Sequence, residues 1–100
     1  MSDTIFELDG NTLTVKPVGE LDSVTSPAFE AELNEHLQGI KYLIADFEQV
    51  TYISSAGLRV LLAAEQSLEE KDGEIKIIHV NDHIMKIFEL VGFLNIVTVE

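Results

Sequence analysis

The segment Tyr52-Ile53-Ser54-Ser55-Ala56-Gly57-Leu58-Arg59 sets two hydroxyls and a glycine where a short polar turn gives way to an amphipathic run. The first turn of a helix has backbone N–H groups without intrahelical partners, and the aligned peptide dipoles make that end partly positive. A hydroxyl placed there is open to solvent, and a phosphate added to it would meet donors. The same position suits serine as a plain N-cap, and local physics alone favours the cap over a phosphorylation site. Arg59 follows Ser55 at i+4, where a guanidinium would pair with such a phosphate. Its alternatives are solvation, or pairing with an acid such as Glu65 or Asp46.

A second cluster is Glu20 and Asp22, spaced i, i+2 so that an extended segment turns both to one side. They leave a strand at the edge where Ser54 and Ser55 leave theirs. A carboxylate beside a hydroxyl would orient it or take its proton during phosphoryl transfer. The simpler reading is that Asp22 caps the helix that follows. Other chemistry finds little support. A hydrolase elbow needs glycine two residues before the serine, and Ile53 stands there. A phosphate-cradling loop needs more glycines and a lysine. His79 and His83 straddle a strand end and a helix start without a third ligand, so no metal site is read. No catalytic residue and no cofactor are expected: the chain is read as a binding module, not an enzyme.

The elements that position these residues fit one domain spanning residues 1–100. Hydrophobic residues make up 46% and charged residues 24%, a globular composition. Without cysteine there are no disulfides and no sulfur-based zinc site. No secretory leader or membrane-spanning run is legible, which fits a cytoplasmic location. A net charge of −12, from 18 acidic and 6 basic residues, repels phosphate backbones and anionic lipid. Nucleic acid and membrane are therefore poor partners, and a basic protein surface is a better one.

Residues 4–8 and 12–18 alternate apolar and polar around Asp9-Gly10-Asn11, a hairpin pattern, and Gly19 to Asp22 lead out of the sheet. Ser26-Pro27 reads as an N-cap and first helical residue, with Asp22 or Ser23 as earlier caps, and Phe29, Leu33 and Leu37 mark the helix's inner face. Residues 41–47 are almost continuously apolar, as in a strand buried on both faces. A helix from about Ser55 to Lys71, a strand over 75–80 and a helix capped by Asn81 or Asp82 follow, the last with Ile84, Ile87, Phe88 and Val91 inward. Residues 93–99 read as a final strand. The expected fold is α/β, a mixed sheet with an N-terminal hairpin and covering helices in the order β-β-α-β-α-β-α-β. Packing three helices leaves no evident exposed apolar stripe, and the chain is read as a monomer.

With these residues assembled, the chain resembles the STAS family, and within it the stand-alone bacterial anti-sigma-factor antagonists. The resemblance rests on Gly19-Glu20-Leu21-Asp22 with Thr25, on the strand through Asp46-Phe47, on Tyr52 to Leu58, and on Met85 to Phe93. It implies that Ser55 is the phosphorylated residue, with Ser54 as second choice. Ser54 stands where the family has aspartate, and Ala56 where it has a second hydroxyl. Asp22 carries over as the acidic residue associated with the site, and Glu20, Gly57 and Arg59 belong to its surroundings. The implied mechanism is partner switching. A GHKL-type serine kinase that is also the anti-sigma factor would bind the unphosphorylated chain and release its effector, phosphorylation would end that binding, and a serine phosphatase would restore it. The alternative is a STAS adaptor that is never phosphorylated, within a signalling or lipid-transport assembly.

Overall fold

The computed structural model describes residues 3–100. Ile5–Asp9 (β1) and Thr12–Lys16 (β2) form the expected hairpin, antiparallel from Ile5 opposite Lys16 to Asp9 opposite Thr12. Gly10 takes φ +63° in the connecting turn, a conformation with no Cβ penalty for glycine. Pro17 follows, cannot donate to a ladder and ends the strand. The chain continues as Gly19–Leu21 (β3), Ser26–Leu37 (α1), Tyr42–Asp46 (β4) and Val50–Ile53 (β5). Then come Ser55–Glu69 (α2), Glu74–Ile78 (β6), Asp82–Leu90 (α3), a 3-10 turn at Phe93–Asn95, and Thr98–Val99 (β7).

The main sheet has the order β1-β2-β4-β6-β7, antiparallel within the hairpin and parallel at the other three junctions. Alternate residues of its central strands enter the core: Leu13 and Val15, Leu43 and Ala45, Ile75 and Ile77. Phe29, Leu33 and Leu37 of α1 and Leu61, Ala64 and Leu68 of α2 close over them. Each of these side chains larger than alanine contributes about 1.5–3 kcal/mol by leaving water.

Four expectations are corrected. First, the expected order of five strands lacks the pair β3 and β5, which form a separate two-stranded parallel ribbon. Second, β4 is not buried on both faces, because Tyr42 is exposed and Ile44 and Asp46 stay half-buried. Third, the last strand shrinks to Thr98–Val99, since Gly92 turns the chain at φ +73° into a 3-10 turn. Fourth, Ser26 is not the cap of α1. It is the first helical residue, Thr25 holds the cap position without a side-chain bond, and Asp22 organises the preceding turn.

Candidate phosphoacceptor site

The ribbon of β3 and β5 exists at the end of the sheet where two helices begin. Leu21 and Ile53 are register partners at its end. Beyond them one chain enters α2 and the other enters the turn before α1. The Ser54 N–H donates to the Leu21 carbonyl at 2.9 Å and locks the two exits together.

Ser54 has extended backbone and is the N-cap of α2, its Oγ accepting the Ala56 N–H at 3.2 Å. That hydroxyl also reaches the Leu21 carbonyl at a long 3.4 Å, and the residue is half-buried. Ser55 is the first helical residue, is exposed, and its hydroxyl makes no hydrogen bond with the described residues. The two serines therefore divide the roles that sequence left open between them. Ser54 is the cap, and Ser55 presents a free hydroxyl at the positive end of a helix of 15 residues.

Gly57 is buried in the first turn of α2, and a Cβ there would lie 2.6 Å from the Leu21 carbonyl oxygen and 2.7 Å from Ile53 Cγ1. Only glycine lets the helix start this close to both strands.

Asp22 sits on the neighbouring exit, half-buried. Its carboxylate accepts the Val24 N–H at 2.9 Å and the Thr25 N–H at 3.0 Å. The Thr25 hydroxyl lies 2.6 Å from the Glu20 carbonyl and 3.2 Å from the Asp22 carboxylate, and the shorter contact has the better claim on its single proton. Thr25 Oγ1 in turn accepts the Asp22 N–H at 3.0 Å. The Thr25 N–H, then the Val24 N–H, hold the Asp22 carboxyl below the usual carboxylate range. Of the two roles the sequence offers Asp22, these bonds match the local one at the start of α1. The carboxylate is engaged with its own turn, and among the described residues no bond joins it to Ser54 or Ser55. Asp22 shapes the turn and places negative charge beside the site. Glu20 is exposed on β3, and its backbone carbonyl serves the same turn.

Arg59 is exposed and has no ion pair with a described residue. Neither acid offered to it by the sequence is its partner. Asp46 accepts from His79 at 2.8 Å, and Glu65 faces Glu69. Burial first, then the Glu69 carboxylate, raises the Glu65 carboxyl. Arg59 and Ser55 share one groove of about 290 Å³ whose remaining walls are Leu58, Leu62, Val91, Phe93 and Ile96. Val91 is thus not an inner residue of α3; it is 54% exposed, with Leu90 at 86% and Ile96 at 47%. The expectation of no exposed apolar stripe fails at this groove.

Two further contacts near the strand ends escaped the sequence. His79 takes φ +60° directly after β6 and pairs with Asp46 at the end of β4. Their separation of 33 residues leaves no local signal. Asn81 caps α3 by accepting the Ile84 N–H at 2.8 Å while its amide donates to the Val50 carbonyl at 3.2 Å, tying α3 to β5. Its capping role was legible; its link to β5 was not. His83 stacks near Tyr52, with ring centroids 6.2 Å apart. No group of three or more His, Cys, Asp or Glu among the described residues is arranged to hold a metal ion. No helix among them is long and apolar enough to cross a membrane.

Comparison with known proteins agrees with this architecture. The STAS domain family model matches residues 4–100. A putative anti-sigma factor antagonist, BtrV of Bordetella bronchiseptica, is 33% identical over 94 residues, covering 93% of this chain and 80% of BtrV. The anti-sigma-B factor antagonist of Staphylococcus aureus is 34% identical over 86 residues, covering 85% of this chain and 80% of that protein. Among solved structures, an anti-sigma factor antagonist from Mycobacterium paratuberculosis superposes with a TM-score of 0.86 at 23% identity, over 99% of this chain and 85% of the other. The unphosphorylated form of the antagonist SpoIIAA gives 0.77 at 18% identity, over 97% and 86%. The structures establish the likeness of fold, and with the family model and the sequence relatives the conclusion is plain: this chain belongs to the STAS domain family.

Proposed function

We propose that this protein is an anti-sigma-factor antagonist whose partner binding is switched off by phosphorylation of Ser55. The observation that carries the reading is the division between adjacent serines: Ser54 is committed to capping α2, whereas Ser55 is exposed and uncommitted. The names of the sequence relatives favour the same role. The partner is a GHKL-type serine kinase that doubles as the anti-sigma factor. It supplies the nucleotide and the catalytic groups, and this chain is its ligand and substrate. A serine phosphatase reverses the modification, and the exchange takes place in the cytoplasm with this chain as a monomer.

The energetics suffice. A phosphate on Ser55 adds about −1.5 to −2 charge to a contact surface. A hundredfold loss of affinity requires about 2.7 kcal/mol, within reach of one uncompensated charge desolvated at an interface. Asp22, Glu20, Ser54 and Gly57 shape and flank that surface.

The test is a binding titration of the partner recovered from native cells on immobilised Ser55→Ala protein. Ser55→Ala is expected to bind as tightly as the unmodified chain, and Ser55→Asp at least tenfold more weakly. Equal affinities would contradict the switch. The apolar groove beside Ser55 favours a second reading, an adaptor that binds through Leu58, Leu62 and Val91 and is never phosphorylated. Loss of partner binding on Leu62→Asp with no difference between the two Ser55 variants would select it.

A further inference from the structure

Arg59 is the single arginine of a chain with 18 acidic residues, yet no carboxylate holds it. Three of the five lysines are engaged: Lys16 pairs with Glu7, Lys76 with Glu100, and Lys71 donates to the Leu37 carbonyl. Arg59 stands on a ridge between two depressions. On one side is the groove it shares with Ser55, where it is the only charged lining residue. On the other is a cleft of about 240 Å³ between the starts of α1 and α2, lined by Ser23, Ser26 and Glu30. Nothing in the cleft anchors the guanidinium. The Glu30 carboxylate forms no ion pair with it, and Ser26, 2% exposed, has a hydroxyl without a partner among the described residues.

We propose that Arg59 is the clasp for a phosphate on Ser55, drawn from the ridge onto the groove side when the dianion appears. The inference rests on Ser55 as the acceptor and names how that site is regulated. Residues at i and i+4 are neighbours on a helix surface, and an anion preceding a cation at this spacing is the favourable orientation. A guanidinium meets a phosphate through two parallel N–H bonds, which an ammonium cannot copy. The groove's other walls are apolar and hold no second cation to compete, and the one carboxylate lining the cleft on the far side of Arg59 is that of Glu30. Phosphorylation then alters the contact surface at two positions at once. It adds a dianion at Ser55 and withdraws the one free guanidinium that the unmodified surface offers.

The test uses the full chain with phosphoserine installed at position 55 during translation, so it needs no kinase. A single arginine gives a single side-chain Nε–Hε resonance, assigned without ambiguity. Phosphorylated protein is expected to move that resonance and slow its exchange with water. In a phosphorus NMR titration the second ionisation of the phosphate is expected to fall below its ordinary value of about 6. Arg59→Ala should raise it by about half a unit, a threefold change in the acid constant typical of an exposed pair. Arg59→Lys, which keeps the charge but not the paired N–H bonds, should recover only part of that shift. An unmoved Nε–Hε signal, or a titration unchanged by Arg59→Ala, would overturn the clasp. Matching amide spectra of the unphosphorylated variants exclude misfolding. Phosphate found on Ser55 in cells together with an unchanged titration would leave the proposed function standing and remove this inference; a changed titration with no phosphate on Ser55 in cells would overturn the proposed function and, with it, the clasp as a regulatory device.

Discussion

Gly57 approaches Leu21 so closely that a Cβ at position 57 would stand 2.6 Å from the Leu21 carbonyl oxygen. That oxygen also accepts the Ser54 N–H at 2.9 Å. One carbonyl at the end of β3 thus fixes both the start of α2 and how near it comes to the turn of Asp22. Gly57→Ala must push the helix off the ribbon. We expect a loss of about 1–3 kcal/mol in urea unfolding, the usual cost of overpacking. For a domain of this size each kcal/mol is about 4–8 °C in Tm. An unchanged midpoint would contradict the close approach.

The adjacent serines should separate cleanly by stability. Ser54→Ala removes the N-cap bond to the Ala56 N–H and should cost about 1 kcal/mol. Ser55→Ala removes an exposed hydroxyl without a partner and should stay within about 0.5 kcal/mol of the parent. Paired thermal melts check this, and a larger loss at Ser55 than at Ser54 would reverse the assignment of cap and acceptor.

The pair of Asp46 and His79 gives the fold a pH signature. The hydrogen bond to Asp46, then that residue's charge, raises the His79 pKa above its usual value. Partial burial alone would raise the Asp46 carboxyl, but the His79 bond and the Glu48 N–H outweigh it and hold the carboxyl low. The histidine's contribution is therefore complete below its unfolded value of about 6.5 and is lost as pH rises through the raised folded value. The aspartate's contribution is present above its unfolded value of about 3.9 and is lost as pH falls through the depressed one. The two overlap between about pH 4 and 6.5. His79→Asn keeps a residue tolerant of φ +60° and removes the titrating ring. Urea midpoints of the parent should decline relative to His79→Asn as pH is raised from about 6 to 8; parallel curves would contradict the pair.

What could be read from the sequence was whatever local rules decide. The hairpin followed from alternation around Gly10, and α2 from its serine, glycine and leucine spacing. The ribbon did not, because β5 buries Val50 and Ile53 and exposes Thr51 and Tyr52, a pattern without the period of two. Apolar type also misled at Val91 and Ile96, which line an open groove instead of the core, and at Leu94, which is exposed. At Ser26 a good local cap signal lost to the Asp22–Thr25 turn one residue earlier. The engagement of Asp22 is local to residues 20–25, but the close approach of α2 to β3, which brings that turn beside the two serines, joins residues more than 30 apart and no window of sequence contains it.

The central claim is that Ser55 is phosphorylated, and intact-mass analysis with fragmentation of the protein isolated from its native cells tests it most directly. The account predicts a population carrying one phosphate, located on Ser55. Phosphate on Ser54, or none across growth and stress conditions, would contradict it.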